Sequence, residues 1–181
     1  LQDYKKSFNF WLNQKNISKI IFVENSNYDL KEFYEISEKF PSKEVEILSS
    51  DLNESYNKKL GKGYGQYLCL KDVFNKSKLA KNSDYFIDIT GRHCVKNFNQ
   101  ILKDIIVNKS DIYINLSNHL KFADTNLYAG TKNFFVNFLL PETQKTNDEN
   151  GNIFENCVAK ATLKAVASGL TLSNIPIYAE I

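Results

Sequence analysis

Short runs of β-branched and aromatic residues, each stopping abruptly at a polar cluster, alternate along this chain with segments of helical periodicity. That alternation constrains the fold more than any other feature, because strands separated by helices pack as a sheet covered on its faces. Tyr4, Phe8, Trp11 and Leu12 mark a first helical stripe. The run Lys19-Ile20-Ile21-Phe22-Val23 follows, suited to a strand buried on both faces, and ends at Glu24-Asn25-Ser26-Asn27. Leu30, Phe33, Ile36 and Phe40 mark a second helix that Pro41 stops. Residues 45–48 form a short strand ending in Ser49-Ser50-Asp51, and 53–65 read as a loop before a helix near Gln66.

Residues 84–89 predict the next strand, closed by Thr90-Gly91-Arg92. The cleanest helical pattern is Phe98, Ile101, Leu102, Ile105 and Ile106. A strand over 111–116 and an irregular stretch over 118–126 come next. Thr131 caps a helix bearing Phe134, Phe135, Phe138 and Leu139, which Pro141 ends. A last helix carries Phe154, Cys157, Val158 and Ala161, and 175–181 reads as a closing strand. The expected class is α/β: three layers, a mainly parallel sheet with helices on both faces, in one domain over 1–181. Ligands of such sheets sit outside the carboxyl ends of the strands. Attention therefore falls on residues 24–27, 49–51, 88–92 and 117–124.

Composition narrows the function classes. Lys and Arg total 23 against 21 Asp and Glu, a net +2 that gives no footing for nucleic acid. No run of about 18 apolar residues is present to span a bilayer, and residues 1–12 lack a secretory pattern, so a cytoplasmic protein is expected. The three cysteines, Cys69, Cys94 and Cys157, lack a CxxC pair and read as reduced thiols. His93 and His119 are too few for a histidine metal centre.

Four blocks could carry chemistry, each with a plainer alternative. In Gly61-Lys62-Gly63-Tyr64-Gly65-Gln66, Gly63 and Gly65 could turn amides toward an anion beside Lys62, or the segment is a flexible turn. In Asp88-Ile89-Thr90-Gly91-Arg92, an aspartate inside an apolar strand needs a partner and Arg92 can grip a phosphate. The alternative is a strand with a glycine turn. Asp124 could hold a cation or a sugar hydroxyl, or form an Asx-turn. Glu155 could be a general base, or close a capping box with Asn152.

Taken in order, the pieces Phe22-Val23-Glu24-Asn25-Ser26, residues 61–66, Ile89-Thr90-Gly91-Arg92, Phe122-Ala123-Asp124 and the helix opening at Phe154-Glu155 resemble a bacterial family of GT-A-fold glycosyltransferases. That family builds capsule and lipopolysaccharide sugars. The resemblance implies a Rossmann-related fold and a nucleotide-sugar donor held by Glu24, Asn25, Ser26, Lys62, Gly63, Gly65, Thr90, Arg92 and Asp124. Asp88 and Glu155 would be catalytic, with Glu155 as base. The acceptor would be a glycan or a lipid-linked sugar, reached at the inner face of a membrane without a spanning segment. A divalent cation, manganese or magnesium, is an optional partner, since no Asp-x-Asp motif stands here. The family's fold begins with a strand ahead of the first helix, so that strand, like an acceptor-binding end, is expected outside residues 1–181. A non-catalytic or degenerate α/β ligand-binding domain is the alternative reading.

Overall fold

A computed structural model describes residues 1–50 and 56–180. The elements in order are α1 (Gln2–Leu12), β1 (Lys19–Glu24), α2 (Lys31–Ser37), β2 (Glu44–Ser49), α3 (Lys62–Lys76), α4 (Lys78–Lys81), β3 (Tyr85–Ile89), β4 (Cys94–Val95) and α5 (Phe98–Asn108). Then come β5 (Ile112–Tyr113), β6 (Leu116–Ser117), β7 (Phe122–Ala123) and β8 (Leu127–Thr131). A composite helix α6 joins Lys132–Phe134, a π turn over Phe135–Leu139, and Leu140–Thr143. Helix α7 (Phe154–Ala167) and strands β9 (Leu172–Ser173) and β10 (Ala179–Glu180) complete the described chain.

The α/β class is as expected, but in place of one mainly parallel sheet the strands form small sheets of mixed direction. β1 pairs with β2 in parallel, from Lys19 opposite Glu44 to Glu24 opposite Ser49. A second sheet has the order β3-β8-β5-β9, with β8 antiparallel to both β3 and β5. The reason lies in the connection. A parallel neighbour needs a crossover of a dozen or more residues, usually helical. Between β5 and β8 the chain offers only the β6–β7 hairpin, so β8 returns antiparallel. The expected strand over 111–116 is accordingly split into β5 and β6; within the expected closing strand over 175–181 only β10 forms among the described residues, and β9 lies ahead of it.

Alternation along β8 builds the two halves of the core. Leu127 and Ala129 pack with Trp11, Phe98, Ile101 and Ile105 on the α1/α5 face. Tyr128 packs with Phe134, Phe135, Phe154 and Val158 on the α3/α6/α7 face. Strand β1, by contrast, is only half-buried along its length, not enclosed on both faces as its apolar run implies. It and β3 share no hydrogen bonds. A cavity of about 350 Å³ lies along Lys19–Phe22 and Tyr85–Ile89.

Helix α1 bridges the two sheets. Phe8 packs tilted against Phe22 and edge-on to Phe33 on the β1–β2 side, at 5.0 and 5.5 Å between ring centroids. Trp11 meets Phe98 edge-on at 4.9 Å on the other side. The Ser7 hydroxyl and the Trp11 indole N–H both donate to the His93 carbonyl, at 2.9 and 3.0 Å. Two further ties reach the β1–β2 sheet from α3 and α4. The Ser50 hydroxyl donates to Asp72 at 2.6 Å, and the Glu46 carboxylate accepts the Lys78 and Leu79 amides at 2.9 and 3.2 Å.

Two helix boundaries differ from the expected ones. α3 starts at Lys62, because Gly61 (φ +87°) makes the turn that lets the helix begin. Pro141 does not stop α6: the widened π turn precedes it, and Pro141 falls in the first turn of the segment that runs on to Thr143. The Thr131 cap forms as expected, its hydroxyl accepting the Phe134 amide at 3.3 Å.

Gly130 sits where β8 passes under α6. A Cβ there would lie 2.8 Å from Phe134 Cδ1 and 2.9 Å from the Asp111 carbonyl oxygen. Gly130→Ala should therefore lower the unfolding free energy by about 1–3 kcal/mol, the usual cost of overpacking. Urea denaturation would read this as a lower midpoint at unchanged slope.

Candidate functional site

The carboxyl ends of β1 and β3 open on the same face, with the first turns of α1 at their side. Tyr4 borders a hollow with Phe22–Ser26, and its ring lies 3.2 Å from a Cβ built on Gly91. Glu24 organises the turn after β1. One carboxylate oxygen accepts the Ser26 amide at 2.7 Å and also bonds its hydroxyl; the other accepts the Tyr28 amide at 3.1 Å. Glu24 and Ser26 are thus bound to one another. Asn25 reaches toward Cys69 of α3. Burial, then the charges of Asp88, Asp72 and Glu24, push the Cys69 thiol up to about 12, while the Asn25 contact works the other way. A thiol so poised is inert. It marks the point where β1, β3 and α3 converge.

Asp88 lies opposite Tyr128 in the β3–β8 register. It lines the cavity between β1 and β3, and burial pushes its carboxyl up. Tyr128 and the Ile89 amide act in the opposite direction without overcoming it. The Tyr128 hydroxyl is fully buried and has no partner at hydrogen-bond distance, although it is near enough to Asp88 for each to perturb the other. The partner that an aspartate in an apolar strand requires is this phenol, held at longer range.

Beyond β3 the chain turns over Thr90 and Gly91. The Thr90 hydroxyl donates to the Thr125 carbonyl at 3.0 Å. Arg92 is exposed on the rim. His93 is lowered by burial first and then by Arg92, with Asp124 opposing. Asp124 forms its Asx-turn, accepting the Asn126 amide at 3.0 Å.

Glu155 does not close a capping box. The residue flanking α7 is Ile153, with no side-chain cap. Asn152 instead donates to the Lys145 carbonyl at 2.6 Å and accepts from Lys160 at 2.9 Å. Glu155 turns to the loop after β7 and accepts the Thr125 hydroxyl at 3.4 Å. Thr125 therefore ties Thr90 and Glu155 into one cluster.

Lys62, Gly63 and Gly65 lie in the first turns of α3, not in a loop. Lys62 is exposed; a Cβ on Gly63 would sit 2.7 Å from the Cβ of Phe154. This glycine lets the starts of α3 and α7 touch, which places Lys62 near the helix that carries Glu155. Asp51 lies outside the described residues. Among the described residues, no group of three or more His, Cys, Asp or Glu side chains is arranged to hold a metal ion. No described helix is long and apolar enough to cross a membrane.

Three contributors were not singled out from the sequence: Thr125, Tyr128 and Cys69. Thr125 follows Asp124 in the same short block, whereas Tyr128 and Cys69 carry no local signal.

No protein-family model matches the sequence, and no curated protein matches it. Among solved structures, a nucleoside-diphosphate-sugar pyrophosphorylase from Vibrio cholerae RC9 superposes with a TM-score of 0.59 at 13% identity, over 95% of this chain and 78% of that one. HddC from Yersinia pseudotuberculosis gives 0.49 at 13% identity, over 99% and 76%. The chain shares the α/β fold of the Vibrio protein.

The burial of Asp88 has a testable sign. Its folded-state pKa is raised, so the fold favours the neutral acid. The stability this acid contributes is present below its unfolded value near ~4 and is lost as pH rises through the folded value. Asp88→Asn should therefore stabilise the protein at pH 7. The gain should shrink as pH falls through the carboxylate range. Urea midpoints taken across pH check this, and a gain that does not vary with pH would refute it.

Proposed function

We propose that this chain binds a nucleotide-sugar across the carboxyl ends of β1 and β3 and transfers the sugar to a glycan or lipid-linked acceptor. The observation that carries the reading is the convergence on one face of Asn25, Asp88, Thr90, Arg92 and the Thr125–Glu155 pair. A face built this way at the strand ends is where such sheets bind ligands. The similarity of fold to a nucleoside-diphosphate-sugar pyrophosphorylase supports a nucleotide-sugar as the ligand class.

In this reading Arg92, exposed on the rim, meets the diphosphate with its planar guanidinium. Lys62 adds charge from the start of α3. Glu155, steadied by Thr125, takes the proton of the acceptor hydroxyl as its oxygen bonds the anomeric carbon. The bond from that carbon to the diphosphate oxygen breaks with its electron pair, and the nucleoside diphosphate leaves against Arg92. The pyrophosphorylase name of the Vibrio protein favours a second reading, nucleotidyl transfer. Pyrophosphate would then attack the nucleotide phosphorus and release a nucleoside triphosphate and a sugar phosphate.

Products separate the two. Incubation of UDP-, GDP- and CMP-sugars with acceptor, with pyrophosphate, and with or without manganese should yield free nucleotide only where acceptor is present. Triphosphate formed with pyrophosphate would overturn glycosyl transfer in favour of the second reading. Tight binding without turnover would leave a ligand-binding domain. Glu155→Gln should cut turnover by about 10²–10⁴-fold with little change in donor affinity. Arg92→Ala should weaken donor binding by about 1.5–3 kcal/mol, the value of a charge-assisted hydrogen bond. Isothermal titration with the donor measures both affinities.

A further inference from the structure

The turn that leads Arg92 away from β3 also carries His93, whose backbone is tied to three other parts of the fold. Its N–H bonds the Thr90 carbonyl at 2.9 Å. Its carbonyl accepts the Ser7 hydroxyl and the Trp11 indole N–H of α1. The next residue, Cys94, pairs with Glu180 of β10. The side chain is therefore presented from a fixed backbone, as a binding group must be. The elements packed on this turn bring Asp3 and Tyr4 of α1, one turn ahead of Ser7, and the Lys96–Glu180 ion pair beside β4 and β10. Arg92 and Asp124 act on the ring itself, with opposite sign.

The imidazole is half-buried, and its two nitrogens differ. Nδ1 is buried and has no hydrogen-bond partner among the described residues. A neutral imidazole has one donor nitrogen and one acceptor. A buried N–H without an acceptor is the rarer orphan, so Nδ1 keeps the lone pair and the proton sits on Nε2. The ring thus meets solvent on its Nε2 side, with an N–H to offer there.

We propose that His93 is a phosphate-binding group of the strand-end face, its Nε2–H donating to a phosphate oxygen of the ligand that Arg92 also meets. The inference rests on the nucleotide-sugar reading above and adds a proton to it. In the free protein, burial first and then Arg92 hold the ring below its ordinary value, so near pH 7 it is neutral. Protonation would put a second N–H on the buried Nδ1, where no described group compensates it. A phosphate beside both side chains offsets Arg92 and sets an opposite charge at the open edge of the ring. Binding therefore raises the pKa of His93, and the protein takes up a proton with its ligand. By linkage, the added affinity is complete below the free value and is lost as pH rises through the bound value.

Affinity measured against pH tests this. Nucleotide-sugars suit the purpose, because their phosphates hold a constant charge across the range in which an imidazole titrates. Isothermal titration with UDP-, GDP- and CMP-sugars should show affinity rising about tenfold from about pH 8 to about pH 5.5, as a rise of one in the pKa of a single group requires. His93→Gln keeps a side-chain N–H but cannot titrate, so the two proteins should diverge by about tenfold toward low pH. Asp88, whose carboxyl is pushed up, and Asp124 are present in both, so the divergence belongs to His93. A second measurement needs no variant. The chain has two histidines, and the other, His119, stands exposed between β6 and β7. In NMR titrations of the two rings, saturating donor should move the His93 midpoint to higher pH and leave that of His119 in place. Donor affinity that does not change with pH, an equal rise in His93→Gln, or a His93 midpoint that stays put overturns the inference and leaves the donor reading standing. If no nucleotide-sugar binds at any pH, the donor reading falls and this inference with it.

Discussion

The carbonyl of His93 accepts two hydrogen bonds from α1, and the arrangement of the strand-end face rests on that joint. β1–β2 and β3–β8–β5–β9 share no ladder, and among the described residues helices hold them in their relative position. α1 carries Phe8 into one sheet and Trp11 into the other. The Ser50–Asp72 and Glu46–α4 bonds resist rotation about that axis from the far side. Hydrogen bonds at a buried seam add direction to what apolar packing leaves non-directional. The result keeps Glu24–Ser26 and Asp88–Arg92 on one face although they belong to different sheets.

Within that face the electrostatics divide by depth. The inner layer, with Asp88, Tyr128 and Cys69, is enclosed, and enclosure favours the uncharged form of each group. The outer layer, with Arg92, Asp124 and Glu155, keeps contact with solvent. A charged ligand would meet the outer layer first. The inner layer gives that rim a low-dielectric backing, against which charge interactions strengthen.

Much of this was legible in the sequence. The helical stripes of α1, α5 and α7 and the β-branched runs of β1 and β3 state their own periodicity. The polar residues that end those runs are the ones the structure gathers. β8 was not legible: Leu127-Tyr128-Ala129-Gly130-Thr131 has neither alternation nor β-branched content in its middle. It pairs as a strand where Gly130 is small enough to lie beneath α6 while Ala129 packs on the α1/α5 face. Nor could local sequence tell that Glu155 would choose Thr125 over Asn152, since that depends on where the loop after β7 comes to rest. Distant partners decide such contacts, and one-dimensional spacing does not record them.

The chain has one tryptophan, and it is Trp11. Its indole is nearly fully buried at the seam, edge-on to Phe98 and bonded to the His93 carbonyl in the turn between β3 and β4. The protein's fluorescence is therefore a reporter of one event, the docking of α1 across the two sheets. Emission from an indole in this setting will shift to the red as soon as the seam opens to water, even if each sheet survives intact. A partial unfolding that separates the halves would be visible optically before the helical circular dichroism declines.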